Sequence, residues 1–506
     1  MAGSGSGNAL ALERSKLVFK PSDLTTILYG AAKAKRLIQD WNRLAQDDVL
    51  KNSPELYAMS RPELLEEMYK KSARLTQTFD LYKEENERNV MDAGYHFQFT
   101  MPLATHWAMF HKAIEMLGTT RQREKWVKLI REHKIFGGYA QTELGHGSDV
   151  RNLETTATFD KAQQEFIINT PRISATKFWV GTLGLTATHC VLFAQLISDG
   201  INHGVHPFIV QIRSQQTHMP VKGVVVGEVG PKLGYHGMDN GYLQLRNVRV
   251  PLDNMLARFG RIRKDGTYFS PPFASMRYFV MMNVRVTLIH EAARYLAKAA
   301  TIAIRYSLVR EGPGRVLLLD YQLQQYRLFG VLASTYAMFT TSLVIDKMHI
   351  EMLARIREGD LSYVKGMHAL TSGLKAQFSS QTLSSIEVCR QCCGGHGYSE
   401  YSGLPAIYMN YAPTVTYEGD NTVLLLQCGS FLFKQLQKAK DGRTLSGWME
   451  YLNYVNDYVH HRCVSKSTSD FLNVLIYEEA LRVRSAFLCK RLYDRVTHDL
   501  NEVRAT

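Results

Sequence analysis

The stretch Tyr411-Ala-Pro-Thr-Val-Thr-Tyr-Glu-Gly-Asp-Asn-Thr-Val-Leu-Leu-Leu-Gln427 places one carboxylate, Glu418, where a turn meets an apolar helical run. Gly419 follows it directly and lets the chain turn. Asp420 or Asn421 can cap the run, because a short side-chain oxygen accepts the N–H groups of a helix's first turn. We therefore expect Glu418 on a turn just outside a helix N-terminus, both held and reachable. An ordinary exposed loop glutamate is the alternative.

Length and composition predict a globular protein with several domains. The 506 residues are 45% hydrophobic and 21% charged, which excludes a disordered chain. No uninterrupted apolar run reaches the roughly 18 to 20 residues of a membrane helix, so no membrane span is expected. Residues 1–7 are small and lack the basic and apolar regions of a signal peptide. We interpret them as a disordered added tag.

The seven cysteines are odd in number and irregularly spaced, which favours free thiols in a reducing compartment. Cys389, Cys392 and Cys393 lie close together, but no second pair of ligands stands at a metal-binding spacing. We expect no metal site.

The net charge of +13 has two interpretations. The positive charge could bind nucleic acid, or it could bind a small ligand that carries several phosphates. The basic residues are scattered and form no nucleic-acid motif, so a polyphosphate coenzyme explains the excess equally well.

The order of patterns along the chain predicts an α+β protein of several domains. Apolar residues recur at helical spacing from about residue 10 to 135, and Ser60 with Glu63 forms a capping box there. Short runs rich in Val, Ile, Thr and Phe then alternate with turn residues, which is typical of an antiparallel sheet or barrel. Helical spacing returns from about Met276, and Gly394-Gly395 end a long helix near Cys393. The predicted strands are 155–159, 166–169, 187–195, 207–212, 221–226 and 242–250.

The boundaries follow from these changes of pattern. We expect an N-terminal helical domain at 8–137, a β-barrel domain at 138–272 and a helical bundle at 273–430. Residues 431–506 are a second helical region that we interpret as incomplete.

Three Gly-rich stretches could approach a flat cofactor. Residues 139–149 can offer backbone N–H groups, with a plain β-turn as the alternative. Residues 177–184 offer Trp179 for stacking, although core packing of this Trp is equally common. Residues 389–398 have more glycines than a helix cap requires. No GxGxxG follows a predicted strand, which argues against a Rossmann site.

Together, Tyr-Ala-Gln-Thr-Glu and Gly-His-Gly at 139–147, Gly-Gly-His-Gly-Tyr at 394–398 and Tyr-Glu-Gly-Asp-Asn at 417–421 resemble the acyl-CoA oxidases of the acyl-CoA dehydrogenase superfamily. The resemblance runs from about residue 15 to at least 455. It includes the matching stretches at 153–158, 238–242 and 302–307.

The resemblance implies FAD bound between the barrel and the bundle, and a homodimer. By this resemblance, Thr142 and Gly181 contact FAD, and Glu418 is the catalytic base. The expected cofactor-binding set also includes Gln391, Gly394, Gly395, Arg310 and Asn421. Gln391 and the two glycines match a loop that approaches the FAD of the partner subunit.

The residue types suit this chemistry. A Glu beside the substrate can remove a proton α to a thioester, and its backbone N–H can stabilise the enolate oxygen. The resemblance then implies hydride transfer to FAD, a trans-2-enoyl-CoA product, and hydrogen peroxide from oxygen. A carboxylate buried near an apolar chain is expected to have a raised pKa.

The sequence also departs from the family. The loop after Arg305 is shorter and lacks the family's Gln, which leaves Arg310 as the candidate contact to FAD. The segment after Glu418 is shorter than in a typical oxidase. The chain ends Arg504-Ala-Thr506, without a Ser-Lys-Leu signal, so peroxisomal localisation is implied by the family alone.

Other functions remain open at this point. A dehydrogenase passing electrons to a flavoprotein is the first alternative, and a non-catalytic acyl-CoA or FAD binder is the second. Nucleic-acid binding is least favoured. The preferred acyl chain length and the residues that bind the CoA phosphates are not assigned.

Overall fold

The computed structural model describes residues 5–79, 96–270, 279–456 and 459–505. Its helices are α1 (Gly5–Ser15), α2 (Pro21–Tyr29), α3 (Ala31–Gln46), α4 (Arg61–Thr78), α5 (Lys112–Leu117), α6 (Thr120–Arg131), α7 (Phe279–Ser307), α8 (Gln322–Arg357), α9 (Ser362–Cys392), α10 (Leu404–Tyr411), α11 (Asn421–Lys440) and α12 (Val474–Ala505). Its strands are β1 (Gly137–Ala140), β2 (Thr156–Asp160), β3 (Glu165–Asn169), β4 (Lys177–Val180), β5 (His189–Ser198), β6 (Ile201–Gln211), β7 (Val224–Glu228), β8 (Gly241–Leu245), β9 (Val248–Pro251), β10 (Arg261–Ile262) and β11 (Tyr268–Phe269).

The predicted helix starts and stops are confirmed. Ser60 and Glu63 form the capping box of α4, and Thr119 caps α6. The long helix α9 ends at Cys392, directly before the glycines that were expected to stop it. The predicted return to helix at Met276 lies outside the described residues, and α7 is described from Phe279.

The chain divides into two compact units, residues 1–349 with 377–419, and residues 350–376 with 420–506. In the first unit the strands form a mixed sheet in the order β1-β5-β2-β3-β9, with β6 on the other edge of β5, and a separate sheet in the order β4-β8-β7. Both β1 and β2 pair in parallel with β5, β1 at residues 189–192 and β2 at residues 195–197. The long strand β5 is thus the centre of the larger sheet.

Two features of the predicted β domain need correction. The sheet is not purely antiparallel, because β1 and β2 are separated from β5 by intervening strands and loops that return the chain in the same direction. Among the described strands, β1 and β9 do not pair with each other, so the closed barrel is not confirmed. The expected strand 242–250 is also two strands, split by a turn at Asn247 with φ 49°.

The helical part of the first unit has its own core. Buried residues of α7, α8 and α9 pack together with Leu404 and Tyr411 of α10. Another cluster packs the helices before the β domain against the larger sheet, with Phe110, Trp126 and Val191 among its members. The second of these cores brings helices next to the larger sheet.

The second unit is helical. Buried residues of α11, the 3₁₀ segment Gly447–Asn456 and α12 form its core, with Leu436, Leu452 and Tyr493 at the centre. Phe433 stacks on Tyr493 with ring centroids 4.5 Å apart.

The N-terminal tag is not disordered throughout. Residues 5–7, which we expected to be disordered, form the first turn of α1, because the helix-favouring residues that follow extend the helix backwards. Residues 1–4 lie outside the described part of the chain.

One long helix is notably apolar. Within the described residues, Gln322–Ile356 is long and apolar enough to cross a membrane, and about a third of its most apolar stretch is buried. Its apolar residues are interrupted by Ser and Thr, so the sequence shows no uninterrupted apolar run there. A single helix of this kind is weak evidence, because core helices of soluble proteins have the same composition.

All seven cysteines lie within the described residues and none forms a disulfide, as expected.

Candidate active site

The turn that carries Glu418 has an uncommon backbone. Glu418 has φ 56° and Gly419 has φ 108°, so both lie in the left-handed region. This conformation is unfavourable for a residue with a side chain, and it persists where the surroundings fix it. The buried Arg285 contributes, since its Nε donates to the Glu418 carbonyl at 3.2 Å. Glu418 is half-buried on a turn, as predicted.

The next helix begins as expected. Asp420 is its N-cap, and its carboxylate accepts from the N–H groups of Thr422 at 2.9 Å and Val423 at 3.3 Å. Asn421 is the first residue of α11.

The Glu418 carboxylate lies among groups from three separate elements. Burial and the charge of Glu418 raise the pKa of Tyr139 in β1. Burial raises the pKa of Tyr235 to about 12, and the charges of Glu291 and Glu418 add to the effect. Burial lowers the pKa of Arg285 in α7, and Glu418 opposes that shift. The carboxylate therefore faces β1, the loop before β8 and helix α7.

Two of the Gly-rich stretches lie against each other. The Phe178 N–H donates to the Thr142 carbonyl at 3.0 Å, and Leu144 N–H donates to Thr176 at 2.8 Å. Thr142 follows β1 by two residues and is half-buried. Its hydroxyl has no hydrogen-bond partner among the described residues, so it can donate to a ligand.

A buried ion pair locks this arrangement. Lys177 Nζ contacts Glu143 Oε1 at 2.9 Å, with both side chains 0% exposed. Burial alone would raise the pKa of Glu143, but Lys177 and the N–H of Glu154 lower it overall. Burial lowers the pKa of Lys177 to about 8, against the attraction of Glu143. The pair fixes the loop that leads from Thr142.

Trp179 lies in a β-bulge of β4 with φ 68°, and its side chain is 54% exposed. The core-packing alternative for Trp179 is therefore wrong, and an exposed ring remains suited to stacking.

Gly181 is buried just beyond this bulge. A Cβ there would lie 2.7 Å from Thr105 Cγ2 and 3.2 Å from Met238 Sδ. The backbone approach at this position requires glycine.

We expect Gly181→Ala to weaken FAD binding by shifting this segment away from Thr105. The measurement is the FAD dissociation constant by fluorescence titration, with Gly330→Ala as the control, because a Cβ at Gly330 in α8 meets nothing within 4 Å among the described residues. Wild-type affinity in Gly181→Ala would contradict the cofactor role of this segment.

The third Gly-rich stretch follows α9. The Gln391 amide accepts from Arg327 at 3.0 Å and donates to Glu387 at 2.8 Å. Gly394 and Gly395 are exposed, and a Cβ at either position would meet no described residue within 4 Å. The helix end itself requires Gly397, where a Cβ would lie 2.0 Å from the Arg390 carbonyl. The two outer glycines are thus open to an approaching group.

The remaining predicted residues lie apart from these loops in sequence. Arg310 is exposed in the loop after α7, where its N–H donates to the Tyr306 carbonyl at 3.0 Å. The Asn421 amide accepts from Lys375 at 2.9 Å and donates to Ala376 at 3.1 Å. Asn421 thus has a structural role within the second unit, and its cofactor role stays a prediction.

Among the described residues, Glu143, His146 and Glu154 have ligand atoms within 4.8 Å of one another. The Lys177 ammonium already neutralises Glu143, and Ser174 and Arg172 contact Glu154. These contacts explain the grouping without a metal ion.

Sequence reasoning missed the partners of the carboxylate, above all Arg285 and Tyr235. One signal was available for Arg285, because it is the one charged residue in the largely apolar run from Phe279 to Ile289. A lone cation in an apolar helical run is typical of a buried functional charge. Tyr235 carries no comparable signal.

Three family models match this chain. They are "Acyl-coenzyme A oxidase N-terminal" at residues 20–136, "Acyl-CoA dehydrogenase, middle domain" at 138–248 and "Acyl-CoA oxidase, C-alpha1 domain" at 278–433.

Among similar proteins, peroxisomal acyl-coenzyme A oxidase 1 of Bos taurus is 41% identical over 88% of this chain and 68% of its own length. A putative peroxisomal acyl-coenzyme A oxidase 1.2 of Arabidopsis thaliana is 37% identical over 95% of this chain and 74% of its own length.

Solved structures of acyl-CoA oxidases are also similar to this chain. Acyl-CoA oxidase 1 of Arabidopsis thaliana superposes with a TM-score of 0.90 at 36% identity, covering 96% of this chain and 76% of that one. Acyl-CoA oxidase-1 of Caenorhabditis elegans, complexed with FAD and ATP, has a TM-score of 0.91 at 32% identity, covering 99% and 76%.

Proposed function

Because this chain belongs to the acyl-CoA oxidase family and is an FAD-dependent enzyme of fatty-acid β-oxidation, we propose that Glu418 is its catalytic base. The observation that carries the proposal is the place of the carboxylate. It lies on a fixed left-handed turn, next to Tyr139 of β1 and Arg285 of α7. Thr142, the predicted FAD contact, is only three residues after Tyr139.

In the proposed reaction Glu418 acts as a proton acceptor. The carboxylate of Glu418 takes the proton from the carbon next to the thioester carbonyl, breaking a C–H bond and forming an O–H bond. FAD, when bound, accepts the hydride from the neighbouring carbon and passes the electrons to oxygen, which gives hydrogen peroxide. Arg285 keeps the turn in place through the Glu418 carbonyl, so that the base does not need to reorient during proton transfer.

The residues present fit a bound FAD. The unpartnered Thr142 hydroxyl is available as a donor to the cofactor. The close backbone approach at Gly181 and the exposed ring of Trp179 suit a flat polar ring system.

A second copy of the chain completes the proposed site. Gln391, Gly394 and Gly395 are exposed at the end of α9, and the glycines have open space around them. We assign them, with the exposed Arg310, to the FAD of the partner subunit in a homodimer. Asn421 is the remaining proposed contact. The peroxisomal relatives support a peroxisomal location for this chain.

Aerobic turnover of a saturated acyl-CoA tests the function. We expect peroxide and enoyl-CoA in equal amounts, measured by a coupled peroxidase assay and by absorbance of the enoyl thioester. Turnover that requires an added electron acceptor would instead indicate a dehydrogenase. A purified protein that binds acyl-CoA and takes up no FAD would indicate a binding protein.

A further inference from the structure

A cavity of about 740 Å³ lies in the first unit and has no role in the reaction described above. Its volume is within the range of about 300 to 1,000 Å³ that is typical of small-molecule sites. None of the residues proposed above as base or FAD contacts is among the described residues that line it. Its described wall comes from α2, α3, residues 52–57, residues 96–98, α7, residues 401–403 and α10.

Aromatic rings make up much of the cavity wall. Six lining residues are Phe, Tyr or Trp, namely Tyr29, Trp41, Tyr57, Phe97, Tyr295 and Tyr401. Tyr57 and Tyr401 contact each other edge to face, with ring centroids 6.4 Å apart. Such a wall favours a planar aromatic ligand, because stacked and edge-to-face ring contacts add to the burial of apolar surface.

The wall has an exposed side and a buried side. Tyr401 is 66% exposed and Trp41 is 37% exposed, whereas Phe97 is 5% exposed. The Phe97 carbonyl accepts a hydrogen bond from the Lys298 ammonium, which places Lys298 near the buried side. A planar ligand can therefore enter beside the two exposed rings and bring its far end close to Lys298.

Two cations line the cavity, and none of its described lining residues is acidic. Arg294 and Lys298 are four residues apart on α7, so their side chains are neighbours on one face of the helix. A cleft lined by charge of one sign attracts ligands of the opposite sign. The cavity therefore favours a negatively charged ligand.

Lys298 has hydrogen-bonding capacity left for such a ligand. Among the described residues its ammonium makes one hydrogen bond, a long one of 3.4 Å to the Phe97 carbonyl, and it forms no ion pair. An ammonium has three N–H donors. Removing a cation from water without an ionic partner is unfavourable, so an anion bound at this position would stabilise it.

The type of anion follows from the charges nearby. The carboxylates of Asp346 and Glu291 favour the charged forms of Arg294 and Lys298, and neither carboxylate lines the cavity. They offset part of the positive charge, so a singly charged carboxylate fits better than a phosphate group with about −1.5 to −2 charges. Burial lowers the pKa of Lys298 to about 8, which leaves the ammonium mostly protonated near neutral pH.

We propose that this cavity is a binding site for an aromatic carboxylate. The ring system of the ligand contacts Trp41 and Tyr401, and its carboxylate accepts hydrogen bonds from Lys298. Binding at this site requires neither turnover nor the base role of Glu418.

The test is a binding titration of the FAD-loaded protein with 1-pyrenecarboxylate, a planar fused-ring carboxylate. Isothermal titration calorimetry gives the dissociation constants. One matched ligand is 1-pyrenecarboxamide, which keeps the rings and removes the charge. The other is adamantane-1-carboxylate, which keeps the charge and replaces the planar rings by an aliphatic cage. We expect each matched ligand to bind at least about tenfold more weakly than 1-pyrenecarboxylate.

Lys298→Met should weaken binding of 1-pyrenecarboxylate by at least about tenfold, because the carboxylate loses a charge-assisted hydrogen bond. The same variant should bind 1-pyrenecarboxamide as the wild type does. Lys298→Arg keeps a cation at this position and should retain most of the affinity. The control is Lys347→Met, which removes an exposed lysine of α8 outside the cavity.

A second variant tests the aromatic wall without changing the charge. Trp41→Ala should weaken binding of 1-pyrenecarboxylate by at least about threefold, because a ring contact is lost. Trp41→Phe keeps a ring and should retain most of the affinity. The control is Tyr477→Ala, which removes an exposed ring of α12.

Three results would overturn the proposal. Equal affinity of the wild type for 1-pyrenecarboxylate and 1-pyrenecarboxamide would exclude recognition of the carboxylate. Unchanged binding in both Lys298→Met and Trp41→Ala would place the ligand outside this cavity. Tighter binding of AMP than of 1-pyrenecarboxylate, lost in Lys298→Met, would assign the cavity to a phosphate ligand instead. None of these measurements depends on turnover, so a failure of the peroxide assay is distinguishable from a failure of this site.

Discussion

Glu418→Gln is expected to bind FAD and acyl-CoA and to lose turnover by roughly 10³- to 10⁴-fold, the upper part of the range for a removed general base. The amide has nearly the same volume as the carboxylate and cannot take a proton. The left-handed backbone at φ 56° costs the same for Gln as for Glu, so the change in stability should be small. The loss of turnover is then caused by the missing carboxylate and not by a distorted turn.

The measurement is anaerobic flavin reduction by stopped-flow absorbance after mixing with a saturated acyl-CoA. FAD content and the acyl-CoA dissociation constant are measured on the same samples. Glu418→Asp is the matched variant, because it keeps the carboxylate and withdraws it by one methylene. Intermediate reduction in Glu418→Asp would agree with a geometric requirement on the base, and normal flavin reduction in Glu418→Gln would remove Glu418 from the role.

Lys177→Met is expected to destabilise the folded chain by about 3 to 5 kcal/mol, because it leaves Glu143 buried without its cation. Lys177 also donates to the Phe193 carbonyl at 2.7 Å and to the Gln141 carbonyl at 3.1 Å, and both acceptors lose that donor. The free energy of unfolding in urea is the measurement.

The double variant Lys177→Met/Glu143→Gln should recover part of the loss, because no unpaired charge remains. Lys51→Met is the control for losing a lysine from an ion pair, since Lys51 and Asp48 contact each other in solvent. It should leave the urea midpoint unchanged. Equal effects of Lys177→Met and Lys51→Met would show that the buried pair contributes no more to the free energy of unfolding than the exposed pair.

The helices of this chain were predictable because their signals are local. The Ser60 capping box and the glycines after α9 act within one turn of the chain, and the structure confirms both. Asp420 as the cap of α11 is a signal of the same kind. The family was predictable for a different reason, since its three motifs combine into a specific pattern over more than half of the chain.

The sheet was harder to predict, because the local sequence does not determine which strands pair with each other. β1 contains two glycines and β4 contains a bulge at Trp179, so neither has the alternating pattern of a strand. The direction of β1 and β2 relative to β5 depends on the path that the long connections between them take. The prediction therefore missed β1 and β4 as strands and was wrong about the direction in which β1 and β2 pair with β5.

Site residues could be proposed from the sequence only where they lie in motifs, and their roles stay predictions. Glu418, Thr142 and Gly181 were identified from their own surroundings in sequence. Arg285 and Tyr235 come from other elements, and they come near Glu418 only in the folded chain. Their roles follow from burial and charge, which one sequence does not show.

The two strands that share the edge of β5 have a consequence for how the protein folds. The segment between β1 and β2 carries Thr142, and it closes only after both strands have docked on β5. That closure joins residues about fifty positions apart, and such distant contacts form late and slowly. We therefore expect the segment that carries Thr142, the proposed FAD contact, to form late in folding. We then expect FAD to bind after the chain has folded and to slow unfolding.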